Sequence, residues 1–184
     1  GSGAVFPVQD VQDGTMVVRE IQRPNGLGGN LSERYTYEGL RRDLHGRGSL
    51  GFSKITKELM ARNLTVETQY AQDFPYTHQP LSVKTFITAD KNRVSESALT
   101  YGLKGAVGNG PVSPYVAQRE EKKYEYAHDR LLATTTTTNV VDSYGNITTS
   151  TVDVQDHENG QTFKDKKIYT YSNDTSIWRL GQRL

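Results

Sequence analysis

The sequence predicts an all-β protein, mainly antiparallel sheet of strand–turn–strand units, curved like a shell, barrel or sandwich, with at most one or two short helices. Three observations carry this expectation. Apolar and polar residues alternate with period two: Leu64, Val66, Thr68 and Tyr70 stand against Thr65, Glu67 and Gln69. The pattern recurs in Val83, Thr85 and Ile87 and in Ser150, Val152 and Val154, as expected of half-buried antiparallel strands. The runs are separated by stretches that each hold Gly, Pro, Asn or Asp, the residues that tolerate turn dihedrals: RPNGLGGN (23–30), DFPYTHQP (73–80), ADKNR (89–93), GAVGNGPVSP (105–114), DSYGN (142–146) and DHENGQ (156–161). Finally, only 34% of the 184 residues are apolar, and eleven tyrosines outnumber five phenylalanines and one tryptophan. Amphipathic rings and a lean apolar fraction suit broad sheets with a wet face better than a thick sandwich.

Taken in order, strands are expected near 15–21, 34–38, 48–56, 64–71, 82–88, 93–101, 114–127, 133–141, 147–156 and 163–172. Thr134 to Thr138 are five β-branched residues in a row, which stiffens χ1 and favours a strand. A glycosylated stalk fits less well, because no proline accompanies the threonines. The best helix candidate is SKITKELMARNL (53–64), where Ile55, Leu59 and Met60 repeat at helical spacing. REEKKYEYAHDRLL (119–132) fits both a charged helix and, through Tyr124 and Tyr126, a long exposed strand.

RRDLHGRGSLGF (41–52) joins two β-prone runs through Gly46, Gly48 and Gly51, so it reads as a hairpin or bulge. There Arg47 is held at a turn, where its fork suits a carboxylate or several carbonyls.

Most chemistry is excluded. The net charge of +1 gives no general pull toward nucleic acid or an anionic membrane. No apolar run reaches the ~20 residues that span a bilayer. The lack of cysteine rules out disulfides and thiolate metal sites. His45, His78, His128 and His157 lie far apart, without the i, i+4 spacing of a helical zinc site. DVQDHENG (153–160) lacks the alternate oxygen ligands of an EF-hand and reads as a solvated turn, a loose calcium site between Asp153 and Asn159 being the other reading. GLGGN (26–30) and GAVGNG (105–110) lack the Gly-Lys-Ser/Thr ending, or the strand-to-helix context, of phosphate loops. No serine sits in a nucleophile elbow and no carboxylate pair stands out. The sequons at Asn30, Asn63, Asn146 and Asn173 fit chance in a chain rich in Asn and Thr. No cofactor, catalytic residue or metal ligand is expected.

The segment RYTYEGLRRDLHGRGSLGFSKIT (34–56) resembles part of the Rhs/YD-repeat superfamily, above all the B component of insecticidal toxin complexes and the virulence-plasmid B-type proteins. The residues that carry the likeness are Tyr35, Tyr37, Gly39, Asp43, Gly46, Arg47, Gly48, Leu50, Gly51 and Phe52. QYAQDFPYTHQP (69–80) is similar to the run that follows in that family. VVDSYGNITTSTV (140–152) looks like a YD-type unit, with Asp142, Tyr144, Gly145 and Asn146 at its turn, and WRLGQRL (178–184) resembles a Trp-x-Leu-Gly segment. Residues 81–139 match no such motif and are read as a candidate insertion.

The resemblance implies a large hollow β-shell that encloses a toxic C-terminal domain until delivery, in a bacterial secreted or cell-surface protein. On this view Gly1 to Gly3 are a cloning scar and 4–184 a single non-catalytic segment of the shell. Its partners are then the rest of that shell, a toxin-complex subunit, or a second copy pairing through sheet edges, with neither nucleic acid nor a membrane span. The alternative function is a β module of a bacterial surface protein that binds a carbohydrate or a protein receptor through its tyrosines. An enzymatic reading finds no support: relatives with ADP-ribosyltransferase activity carry a Ser-Thr-Ser strand and a Glu-x-Glu turn, and TSTV (149–152) is not followed by one.

Overall fold

Backbone pairing between neighbouring strands organises this chain. The computed structural model describes residues 3–105 and 112–184. Among them are β1 (Val8–Asp10), β2 (Glu20–Pro24), β3 (Asn30–Glu38), β4 (Arg41–Asp43), β5 (Gly48–Gly51), β6 (Lys54–Leu59), β7 (Leu64–Tyr70) and β8 (Pro80–Ile87). There follow β9 (Arg93–Gly105), β10 (Val112–Glu125), β11 (Arg130–Val141), β12 (Ile147–Asp156), β13 (Thr162–Ile168), β14 (Tyr171–Asp174) and β15 (Arg179–Arg183). A 3₁₀ turn at Met60–Arg62 is the only helical element among the described residues. The protein is therefore all-β and antiparallel, as its alternation predicts.

The chain divides into two units, Gly1–Glu96 with Tyr124–Arg130, and Ser97–Lys123 with Leu131–Leu184. The first holds the hydrogen-bonded order β8-β7-β6-β3-β2 and a small β1-β4-β5 sheet. The second holds the order β13-β12-β11-β10-β9 and the β14–β15 hairpin. The GAVGNG motif at 105–110 falls almost wholly outside the described residues.

Register sets the faces. Across the first unit, Tyr37, Ile55, Thr68 and Val83 lie in one cross-strand row. Tyr35, Lys57, Val66 and Thr85 form the next row, and Glu33, Leu59, Leu64 and Ile87 the third. All twelve are half-buried. Only Leu50, Ala71 and Tyr124 are buried apolar residues among those described, joined by Thr65, whose hydroxyl lies 2.9 Å from that of Thr88. Cross-strand pairs of this kind stabilise a sheet by tenths of a kcal/mol to about 1 kcal/mol each.

Several elements depart from expectation; β3 begins at Asn30, four residues before Arg34, and β9 runs on to Gly105, four beyond Tyr101. The helix expected over 53–64 is strand β6 followed by the 3₁₀ turn, which ends at Asn63 in the left-handed region. Ile55 and Leu59 are four residues apart, a spacing that puts them on one face of a helix and equally on one face of a strand. Pairing with β3 on one side and β7 on the other decides the matter. The strand expected over 48–56 is broken at Phe52 and Ser53, because Ser53 N bonds back to the carbonyls of Glu38 and Gly39 (3.0 and 3.2 Å).

Strand β2 starts at Glu20 instead of Thr15, and 163–172 splits between β13 and β14 at Tyr169 and Thr170. Over 119–132 the strand reading holds: β10 runs to Glu125, and a tight turn with Asp129 at φ 51° leads into β11. Short β1, β4 and β15 carry no alternation signal, because three to five residues show no period.

Glu33 is the polar hub of the first unit. Its carboxylate pairs with Arg23, accepts the Tyr35 hydroxyl at 2.8 Å and lies 2.9 Å from Lys57 Nζ. The Lys57 bond, then that of Tyr35, holds its pKa at about 2, against an ordinary 4.5. A carboxylate with a depressed folded-state pKa stabilises fully above its unfolded value and loses that contribution as pH falls through the folded one. The stability advantage of the wild type over Glu33→Gln should therefore shrink as pH is lowered from about 4.5 to about 2. Urea titrations of both proteins at stepped pH check this, and a constant gap across that window would refute it.

Candidate functional site

The most heavily stitched region of the first unit is the β4–β5 hairpin with the loop over 71–79. The hairpin leaves the sheet after Glu38 and returns at Ser53, where the Ser53 hydroxyl donates to the Glu38 carbonyl at 3.1 Å. Strand β1 lies alongside β4, pairing Val8 with Asp43 and Asp10 with Arg41, and Arg41 Nε donates to Asp10 Oδ1 at 3.1 Å. At the tip, Asp43 Oδ1 accepts the His45 backbone N–H at 2.7 Å, an Asx turn. Gly46 and Gly48 take φ values of 101° and 74°.

Leu50, 3% exposed, is the most buried apolar side chain described. The loop is fastened to this hairpin by three side chains. Gln72 Nε2 donates to the carbonyls of Gly39 and Gly51 at 2.7 and 2.8 Å. The Arg47 guanidinium lies 3.6 Å from the Phe74 ring centroid. The His78 ring rests on Gly51, whose φ is +73° and where a Cβ would stand 2.7 Å from His78 Cδ2. A residue with any side chain at 51 thus meets both backbone strain and a ring.

Arg47 consequently grips an aromatic face, not the carboxylate or carbonyls expected of it. Tyr35 and Tyr37 stack along β3 with centroids 6.5 Å apart, and Phe52 lies 4.9 Å from Tyr37. Their hydroxyls are committed internally, Tyr35 to Glu33 and Tyr37 to the Val18 carbonyl at 2.9 Å. The structure thus gathers the residues singled out between 35 and 52 into one hairpin and the strand beside it. Gln72, Phe74 and His78 complete the arrangement and carry no local signal for that role.

In the second unit, Asp142 organises the turn between β11 and β12. Its Oδ1 accepts the N–H groups of Tyr144 and Asn146 at 2.8 and 2.9 Å, while Oδ2 accepts the Asn146 and Asn173 amides at 2.9 and 3.3 Å. Asn173 Oδ1 in turn accepts the Gly181 N–H at 2.8 Å, tying this turn to the β14–β15 hairpin. Burial is the largest influence on Asp142 and acts to raise its pKa, but the donors of Asn146, Tyr144 and Asn173 together hold it below the ordinary value. Gly145 takes φ 86°, and the Tyr144 side chain is exposed.

A third cluster lies in the first unit. Arg93 forks onto Asp129 (3.0 Å to each carboxylate oxygen) and stacks on Tyr124, 4.1 Å from its ring centroid. The Tyr124 hydroxyl donates to Glu96 at 2.8 Å, and burial followed by that bond pushes its pKa up to about 12. The fork holds Asp129 in its left-handed conformation at the turn into β11.

The histidines stay dispersed: His45 meets the edge of Phe6, His78 rests on Gly51, His128 pairs with Glu125 at 2.7 Å, and His157 with Thr134 at 2.9 Å. Between Asp153 and Asn159, Asp153 pairs with Lys164, while Asp156 and Asn159 cap backbone N–H groups of their own turn. Among the described residues no three His, Asp or Glu side chains converge as metal ligands.

Gly48→Ala should cost about 1 kcal/mol, from its positive φ alone, since open space surrounds it. Gly51→Ala should cost about 2–3 kcal/mol, and His78→Ala should recover part of that loss in the double variant. Urea denaturation measures all three; equal costs at 48 and 51 would refute the close approach of His78. Asn173→Ala, which strands the Gly181 N–H and removes one of the two amide donors to Asp142 Oδ2, should cost about 1–3 kcal/mol in the same assay.

No family model matches this chain, and no curated protein matches it. Solved structures do resemble it in fold, two of them being the following. The crystal structure of TcdB2-TccC3 aligns with a TM-score of 0.68 at 9% identity, over 84% of this chain and 12% of that one. The crystal structure of TcdB2-TccC3 without its hypervariable C-terminal region aligns at 0.59 and 10% identity, over 68% of this chain and 9% of that one. The chain therefore spans about a tenth of the length of these neighbours and shares the fold of a stretch of a TcdB2-TccC3 chain.

Proposed function

We propose that this chain is a non-catalytic structural segment of a secreted or surface-exposed bacterial toxin-delivery shell, in which successive β-units enclose a toxic C-terminal domain. The observation that carries the reading is the fold likeness over 84% of the chain to only 12% of a TcdB2-TccC3 chain, as a repeated wall element would give. The stitched hairpins support it. Arg47, Asp142 and Arg93 each spend their polar groups on fastening a turn, which is work a wall needs and a catalytic site does not. On this reading the segment's partners are neighbouring parts of its own shell and a companion toxin subunit.

The alternative, a module that binds a carbohydrate or protein receptor through a row of rings, draws on Tyr35, Tyr37 and Phe52. It is the weaker reading, because both hydroxyls a ligand would use are already bonded within the unit.

Protease protection tests the proposal. In the longer protein that contains this segment, the C-terminal domain should resist protease while the shell is intact. Gly51→Ala, introduced into this segment, should expose it at lower denaturant concentration than in the wild type. A C-terminal domain digested as fast in the wild type without denaturant as it is once the shell is unfolded would overturn the enclosure.

A further inference from the structure

The β14–β15 hairpin presents its largest apolar side chains outward. Ile177 is 64% exposed and Trp178, the only tryptophan in the chain, 77%. Trp178 also sits at φ 56°, a left-handed conformation costly for a bulky residue. The hairpin is nonetheless firmly held. Asp174 Oδ1 accepts the Ser176 N–H and hydroxyl at 3.0 and 2.6 Å, Asn173 accepts the Gly181 N–H, and Arg183 stacks on Tyr169 at 4.3 Å. The tip is thus apolar and exposed on a hairpin whose turn is hydrogen-bonded within itself.

Its surroundings in sequence are cationic. Arg179 directly adjoins the tip and Lys166 lies on β13, while Lys164 is paired with Asp153, Lys167 with Asp165 and Arg183 with the Tyr169 ring. Trp beside an aliphatic side chain, flanked by Arg, is the chemistry of a membrane interface: the ring sits at headgroup depth and the cations face anionic phosphates.

We infer that the Ile177–Trp178 tip is an anchor that inserts into the interface of an anionic lipid bilayer, with Arg179 at the headgroups. This contact is peripheral and independent of the shell reading. On vesicles of equal parts phosphatidylcholine and phosphatidylglycerol, Trp178 emission should shift to the blue and be quenched by brominated acyl chains. Pure phosphatidylcholine vesicles should produce neither change.

Trp178→Gly separates anchoring from folding, because glycine accepts the positive φ. Its thermal midpoint should equal or exceed that of the wild type, while co-sedimentation with the mixed vesicles should fall at least about tenfold, the loss expected when a large buried ring is removed. Arg179→Gln should weaken binding and lessen its salt dependence. Unshifted emission on the mixed vesicles, or retention of Trp178→Gly on them, would overturn the inference. So would equal binding to pure phosphatidylcholine, or a blue shift that follows protein concentration in the absence of lipid, which would assign the tip to a second copy of the chain.

Discussion

Lateral hydrogen bonding between antiparallel strands is the interaction on which everything else in this protein depends. Only four side chains among those described are buried, so apolar burial does not concentrate in a deep core. Instead it is spread thinly along cross-strand rows, such as Glu33, Leu59, Leu64 and Ile87, in which every member is half-buried. A ladder of this kind holds only while its register holds, since a slip of one residue turns every side chain to the other face. The bends between strands therefore need to be fixed as firmly as the strands themselves.

That need explains where the polar chemistry goes. Asp43, Asp142, Asp156 and Asp174 each accept the N–H two residues ahead and close a tight turn. Longer-range stitches sit on top of these local ones: Gln72 bridges two carbonyls, Arg47 covers Phe74, Asn173 joins two hairpins, and Arg93 forks onto Asp129. The shifted carboxylate and phenol pKa values have the same origin. Glu33 and Asp142 are lowered by donors that fix a fold, and Tyr124 is raised by burial against Glu96. Perturbed titration here reports structural networks, which is a recognised alternative to catalysis.

Each unit keeps open sheet edges and half-covered faces, the features on which the wall reading proposed above draws. The likeness to a stretch of TcdB2-TccC3, at 9–10% identity, is a likeness of fold. Edge strands β2 and β13 differ in kind. The β13 edge is studded with Lys164, Lys166 and Lys167, a charge pattern that discourages indiscriminate pairing.

By itself the sequence determined the fold class and most of the strands, because period-two alternation and Asx-Gly turns are local properties of the chain. Residues such as Leu64 to Tyr70 and Asp142 to Asn146 could be placed on a strand and in a turn with no knowledge of their neighbours. It also singled out the glycines and Arg47 between 46 and 51, since a cluster of residues with unusual backbone freedom marks a bend. Only tertiary structure decided the rest. Ile55 and Leu59 are compatible with helix or strand until β3 and β7 close on either side. The run 48–56 becomes two strands because Ser53 finds the carbonyls of Glu38 and Gly39. Arg47 meets Phe74, and Asn173 meets Asp142, across separations of 27 and 31 residues. Such contacts depend on where the chain returns in space, which no local pattern of side chains encodes.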